Sequence, residues 1–141
     1  MLPLRLRFVK GPFGPYAENL RQVLRDIEGH LISGYADGGD APDKQLALVP
    51  GAVGDAEAFL ESHPTTHERF DRVVRLVEGF ETPFGFKLLA TAHWAATEEQ
   101  ALSNADVAHA TYGWAPRKHQ FSPTQIALAM ERPHSEGWLS V

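Results

Sequence analysis

Metal and acid–base chemistry would show first in the histidines and carboxylates of this chain, which carries seven His and eighteen Asp and Glu but no Cys. His63 and His67 stand four apart, the spacing of two ligands on one helical face, but Pro64-Thr65 reads as a helix start and separates them. No His-Glu-x-x-His pattern occurs, and His93 and His109 fall on different predicted helices. Asp37, Asp40 and Asp43 match a calcium loop only loosely, because the position that requires Glu is Leu48. The lack of Cys removes thiolate zinc sites, iron–sulfur clusters, disulfides and thiol nucleophiles. There is no Gly-x-Ser-x-Gly elbow. Gly11-Pro12-Phe13-Gly14 lacks the Lys-Ser/Thr that completes a phosphate loop, and Pro12 has no N–H to offer a phosphate. The paired Glu98-Glu99 reads as solvent-facing. These residues assemble no catalytic, cofactor or metal site, so the expectation is a binding module and not an enzyme.

The segment that favours binding is Val9–Leu20. It sets two Gly, two Pro and the aromatics Phe13 and Tyr16 in a loop whose φ angles are narrowly constrained. The net charge of −5 is distributed unevenly. Residues 1–25 carry five cations and one acid, residues 26–106 carry five cations and fifteen acids, and residues 107–141 carry three cations and two acids. An acidic middle repels nucleic acid and favours a basic partner surface.

The elements that must position these residues read as a predominantly helical α+β fold, with about six helices and a few short strands in one domain over 1–141. Leu4 to Lys10 alternates as a strand. Pro15 at a first helical position predicts a helix to about His30, with Ala17, Leu20, Leu24, Ile27 and Leu31 as its apolar stripe. His30–Tyr35 and Gln45–Val49 predict a hairpin across an acidic connection. Asp55–Glu61 predicts a short helix with Ala56, Phe59 and Leu60 inward. Capping signals at Thr65/Glu68, Thr82-Pro83, Ser103/Asp106 and Ser122/Gln125 open four more helices. The second of these, to about Thr97, is apolar enough to be the central buried helix. Pro133 predicts an early end to the last one, followed by a strand at Gly137-Trp138-Leu139. No run of about 18 apolar residues occurs and no signal peptide is visible, so the expected setting is cytoplasmic, away from the membrane.

Taken together, Lys10–Arg21, Ile27–His30, Gly34–Asp40, Leu48–Ala52, Val77–Gly85, Leu88–Trp94 and Arg117–Ile126 resemble the C-terminal region of DarG antitoxins, over nearly the whole chain. In that family an N-terminal macrodomain, for which this chain has no room, removes ADP-ribose from thymidine in DNA. The region after it binds DarT, a toxin that ADP-ribosylates single-stranded DNA from NAD. The resemblance implies a toxin-binding antitoxin domain without the macrodomain, partnered by a DarT-like ADP-ribosyltransferase. A groove that holds single-stranded DNA is basic and offers stacking surfaces. An inhibitor that mimics DNA there would use Asp37, Asp40 and Asp43 with Tyr35, and Glu18 with Phe13 and Tyr16. The alternative is a helix-turn-helix-like DNA-binding regulatory module around Arg117-Lys118, with a wing at Gly137–Leu139. It is opposed by a second helix whose only cation is Arg132, so direct nucleic-acid binding is not expected.

Overall fold

The computed structural model describes residues 6–35 and 45–139. In chain order the elements are β1 (Phe8–Gly11), β2 (Gly14–Ala17), α1 (Leu20–Ile27), β3 (Ile32–Ser33), β4 (Ala47–Leu48), α2 (Ala52–Glu61), α3 (Pro64–Val77), α4 (Pro83–Thr97), α5 (Asn104–Trp114), a 3-10 turn (Pro116–Gln120) and α6 (Pro123–Ser135). The fold is α+β and mostly helical, with two small antiparallel strand pairs. The chain divides into two compact units, Met1–Phe8 with Ala17–Glu68, and Val9–Tyr16 with Arg69–Val141.

In the first unit, β3 and β4 pair Ile32 with Leu48 and Ser33 with Ala47, the pairing expected of His30–Tyr35 with Gln45–Val49. The Glu28 carboxylate accepts from the amides of Gly34 (3.0 Å) and Tyr35 (3.2 Å) and ties the end of β3 to the segment after α1. Gly34, at φ +94°, also lies so close to Gln45 that a Cβ would come within 2.8 Å of that carbonyl oxygen. Apolar burial is thin: among the described residues of this unit only Ala17 and Ala52 are fully buried hydrophobics.

The second unit holds the core. α4 packs on both α5 and α6, and α5 on α6. Leu88, Leu89, Ala92, Ala95, Val107, Phe121, Ile126, Ala129, Met130 and Leu139 close a single buried cluster. α4 is the central helix that its composition predicted, with Leu88, Leu89, Thr91, Ala92 and Ala95 buried along it. The caps form as their residues dictate. Thr82 Oγ1 accepts from the Gly85 amide at 2.9 Å. Ser103/Asp106 and Ser122/Gln125 each close a reciprocal capping box.

Among the boundaries that differ from the sequence reading, four have a physical reason in the fold. Pro15 lies in β2 and α1 starts at Leu20, because Gly14 at φ +143° turns the chain back along β1. α2 starts three residues earlier than Asp55 and keeps Phe59 at the surface, where it stacks on His63 with centroids 3.9 Å apart. α3 starts at Pro64, so Thr65 sits inside the first turn and not at the cap. Finally, α6 runs through Pro133 to Ser135, and no strand follows among the described residues. Pro133 is buried, and its carbonyl accepts from the Trp138 amide at 2.7 Å. The Gly137 amide bonds to His134 at 3.2 Å, with Gly137 at φ +76°. This pair of bonds around a left-handed glycine is a Schellman cap. Burial of Pro133 against the core, together with this cap, outweighs the lost amide bond.

Candidate functional site

The tip of the β1–β2 hairpin, residues 9–16, belongs to the second unit, which holds its backbone at two carbonyls and one of its side chains through an ion pair. Trp114, the last residue of α5, donates its Nε1 proton to the Gly11 carbonyl at 2.7 Å. Lys118, in the 3-10 turn, donates from Nζ to the Phe13 carbonyl at 2.9 Å and to Thr91 Oγ1 on α4 at 3.0 Å. Lys10 pairs with Glu99, just beyond α4, at 2.6 Å. Trp114 and Lys118 thus bond two carbonyls of this tight turn from outside the hairpin.

Glycine is required at both ends of the turn. A Cβ on Gly11 would lie 2.8 Å from Tyr16 Cβ and 2.9 Å from the Gly14 carbonyl oxygen, and Gly14 holds a φ that L side chains avoid. Both glycines are buried, whereas Phe13 is 55% exposed and Tyr16 44% exposed. The segment is thus a clasped backbone that presents two aromatic rings.

The electrostatics around Phe13 are positive. The Arg117 guanidinium lies 4.3 Å from the ring centroid and Lys87 Nζ lies 5.6 Å from it. Among the described residues neither cation is within ion-pair reach of a carboxylate. Behind them Lys118 is 1% exposed. Burial pushes its pKa below the ordinary lysine value, and the neighbouring charges of Lys87 and Arg117 push it the same way. Its ammonium lies 5.2 Å from the Trp114 ring and 5.5 Å from the Phe121 ring, which offer π faces in place of a counter-ion.

The residues proposed from sequence separate into three groups. Phe13 and Tyr16 share the hairpin of the second unit. Glu18 and Tyr35 belong to the first unit, with Glu18 exposed and Tyr35 half-buried beside the Glu28 carboxylate. Asp37, Asp40 and Asp43 lie outside the described residues. Sequence reasoning missed the clasp. It placed Arg117-Lys118 only at the centre of the DNA-binding alternative. The bond from Lys118 to Phe13 joins residues 105 apart in sequence, and no local pattern marks it. The helix-turn-helix alternative loses its footprint, since the Lys118 ammonium is buried and Gly137–Leu139 makes a helix cap where a wing was expected.

A second feature of this unit is an apolar cavity of about 290 Å³ between the end of α3, α4 and the end of α6, with Leu89, Phe86, Pro133, Trp138 and His93 in its wall. Arg132 ties α6 to the end of α3 by donating to the carbonyls of Arg75 (3.0 Å) and Glu78 (2.5 Å). Burial lowers the His93 pKa from 6.5, opposed in part by the charge of Glu98. The folded chain therefore holds this proton less firmly than the unfolded chain, and stability is lost as the pH falls through 6.5 and below. Urea unfolding between pH 7.5 and 5 is expected to show this decline, and His93→Gln is expected to flatten it. An equal decline in His93→Gln would assign it to other groups. Among the described residues no three His, Asp or Glu side chains gather as metal ligands, and no helix is long and apolar enough to cross a membrane.

Comparison with known proteins places the chain beside one kind of protein. A protein of Thermus aquaticus named DNA ADP-ribosyl glycohydrolase is 41% identical over 130 residues, which is 92% of this chain and 36% of that protein. Proteins of the same name from Mycobacterium tuberculosis and Mycobacterium bovis are 35% identical over 135 residues, 92% of this chain and 38% of theirs. Most of this chain is similar to one part of the DNA ADP-ribosyl glycohydrolases. No protein-family model matches it. The chain spans just over a third of the length of these relatives. The relatives carry the name of an enzyme activity, which overturns the expectation of a chain that is not an enzyme, although this chain covers only 36–38% of their length. A search for catalytic motifs within 141 residues examines only a fraction of proteins so named.

Proposed function

We propose that this chain is the toxin-binding part of a DarG-like antitoxin and neutralises a DarT-like, DNA-modifying ADP-ribosyltransferase by direct contact. The observation that carries the reading is the pattern of similarity. Nearly all of this chain aligns with only 36–38% of DNA ADP-ribosyl glycohydrolases, as a detachable segment of a longer protein would. The surface supports a partner. Phe13, Leu48 and Phe70 are more than half exposed, and a chain that leaves such groups in water gains by covering them on association.

In this reading the acidic stretch around Asp37, Asp40 and Asp43 supplies carboxylates where the toxin would hold DNA phosphates, with Tyr35 as a stacking ring. Exposed charges are screened over about 10 Å at 0.1 M salt. The affinity for the toxin is therefore expected to fall about tenfold or more between 50 and 500 mM salt, measured by calorimetric titration of the whole chain with the toxin. A dissociation constant indifferent to salt would remove DNA mimicry from the account.

A further inference from the structure

We infer that the hairpin tip is a docking point for an acidic segment of the toxin: a carboxylate seated on Arg117 and Lys87 beside an apolar side chain laid on Phe13. This deepens the proposed function and rests on it for the identity of the partner. It also gives this part of the interface a polarity opposite to DNA mimicry, since the groups here are cations and an aromatic ring.

Several observations favour an acidic peptide surface. Phe13 is exposed at the end of a turn whose two glycines and two bonded carbonyls hold its backbone fixed, so little conformational entropy is lost when a partner covers it. Arg117 and Lys87 approach the ring and, among the described residues, have no carboxylate of their own. Arg117 offers the planar fork that carboxylates accept in pairs. Lys118 adds positive potential from behind while it is buried and bonded to Phe13 and Thr91, so it tunes the site without competing for the ligand.

Nucleic acid would also be drawn to cations around an aromatic ring, but the charge count is against it. Across residues 9–16 and 69–141 eight Lys and Arg face eight Asp and Glu, so this unit carries no net positive charge. Two outward cations would neutralise about two phosphates, a salt slope near −1.4 for a single strand, too shallow to sustain a DNA interface. Two cations with one ring suit one or two carboxylates flanking an apolar residue.

The test uses the whole chain with three probes: the DarT-like toxin, a fluorescent peptide of sequence Gly-Glu-Phe-Glu-Gly, and a twelve-nucleotide single-stranded oligothymidine. Phe13→Ala and the charge reversal Lys87→Glu/Arg117→Glu alter exposed side chains, and their melting temperatures confirm that the fold is retained. Each variant is expected to weaken toxin binding about tenfold or more, and the charge reversal is expected to abolish the weak peptide binding. Unchanged toxin affinity in both variants overturns the docking point while leaving the proposed function standing. If the toxin does not bind the wild-type chain at all, the proposed function fails, and the peptide probe alone then decides the docking point. Oligothymidine binding that is stronger than peptide binding, and lost in the charge reversal, overturns the acidic segment in favour of nucleic acid.

Discussion

Lys118→Ala is expected to destabilise the second unit by about 3 kcal/mol, read as a drop of about 10 °C in melting temperature. The substitution empties a fully buried site and strands the Phe13 carbonyl and the Thr91 hydroxyl, which lose their donor. Each stranded buried group costs about 1–3 kcal/mol, and the vacated volume adds to that. Against these stands the relief of a cation buried without a carboxylate, further repelled by Lys87 and Arg117. The relief is smaller than the losses because Trp114 and Phe121 already face the ammonium. Lys118→Met separates the effects. It keeps most of the volume and removes the charge, so it is expected to cost only about 1–2 kcal/mol. The pH dependence has a definite sign. With its pKa held below 10.5 in the fold, Lys118 binds its proton more weakly folded than unfolded, so stability rises as the pH climbs toward 10.5. Lys118→Met is expected to lose that rise. An alanine variant that melts with the wild type would mean that the clasp contributes nothing to stability.

Gly85→Ala is the second large expected effect, about 2 kcal/mol of destabilisation. In most helix positions this substitution stabilises by up to about 1 kcal/mol. Here a Cβ would overlap the backbone carbonyl of Phe80, with the carbonyl carbon at 2.7 Å and Cα at 2.9 Å. A backbone cannot swing aside as a long side chain can, so the loop before α4 or the first turn of α4 must move. Overpacking of this kind costs about 1–3 kcal/mol. The same shift would pull the Gly85 amide from Thr82 Oγ1 and weaken the cap. Denaturant unfolding measures the sum, and a variant as stable as wild type or more so would show that the loop before α4 yields freely.

The α4–α6 part of the fold was legible because its signals are local. Thr82-Pro83, Ser103/Asp106 and Ser122/Gln125 satisfy helix-end amides with side chains three residues away, and the helices start where those residues stand. What was not legible depends on distant contacts. Pro15 reads as a helix opener until Gly14 and the clasped hairpin place it in a strand. Pro133 reads as a helix stop until the core buries it and Gly137 closes the cap behind it.

The candidate site shows the same division. Phe13 and Tyr16 were legible as the aromatics of a loop shaped by Gly and Pro, while their exposure comes from the fold. The positive surroundings of Phe13 come from residues 87 and 117, which only the packing of α4 and the 3-10 turn brings to the hairpin. The link to an enzyme family could not emerge from catalytic motifs, since the chain corresponds to just over a third of proteins so named.

The central claim is that this chain binds a DarT-like toxin and silences it. The most direct measurement is ADP-ribosylation of a single-stranded oligonucleotide by that toxin, with NAD, at increasing concentrations of the whole chain. The account predicts stoichiometric inhibition that Lys87→Glu/Arg117→Glu shifts about tenfold or more to higher concentration. Undiminished modification at a large excess of the wild-type chain would contradict it.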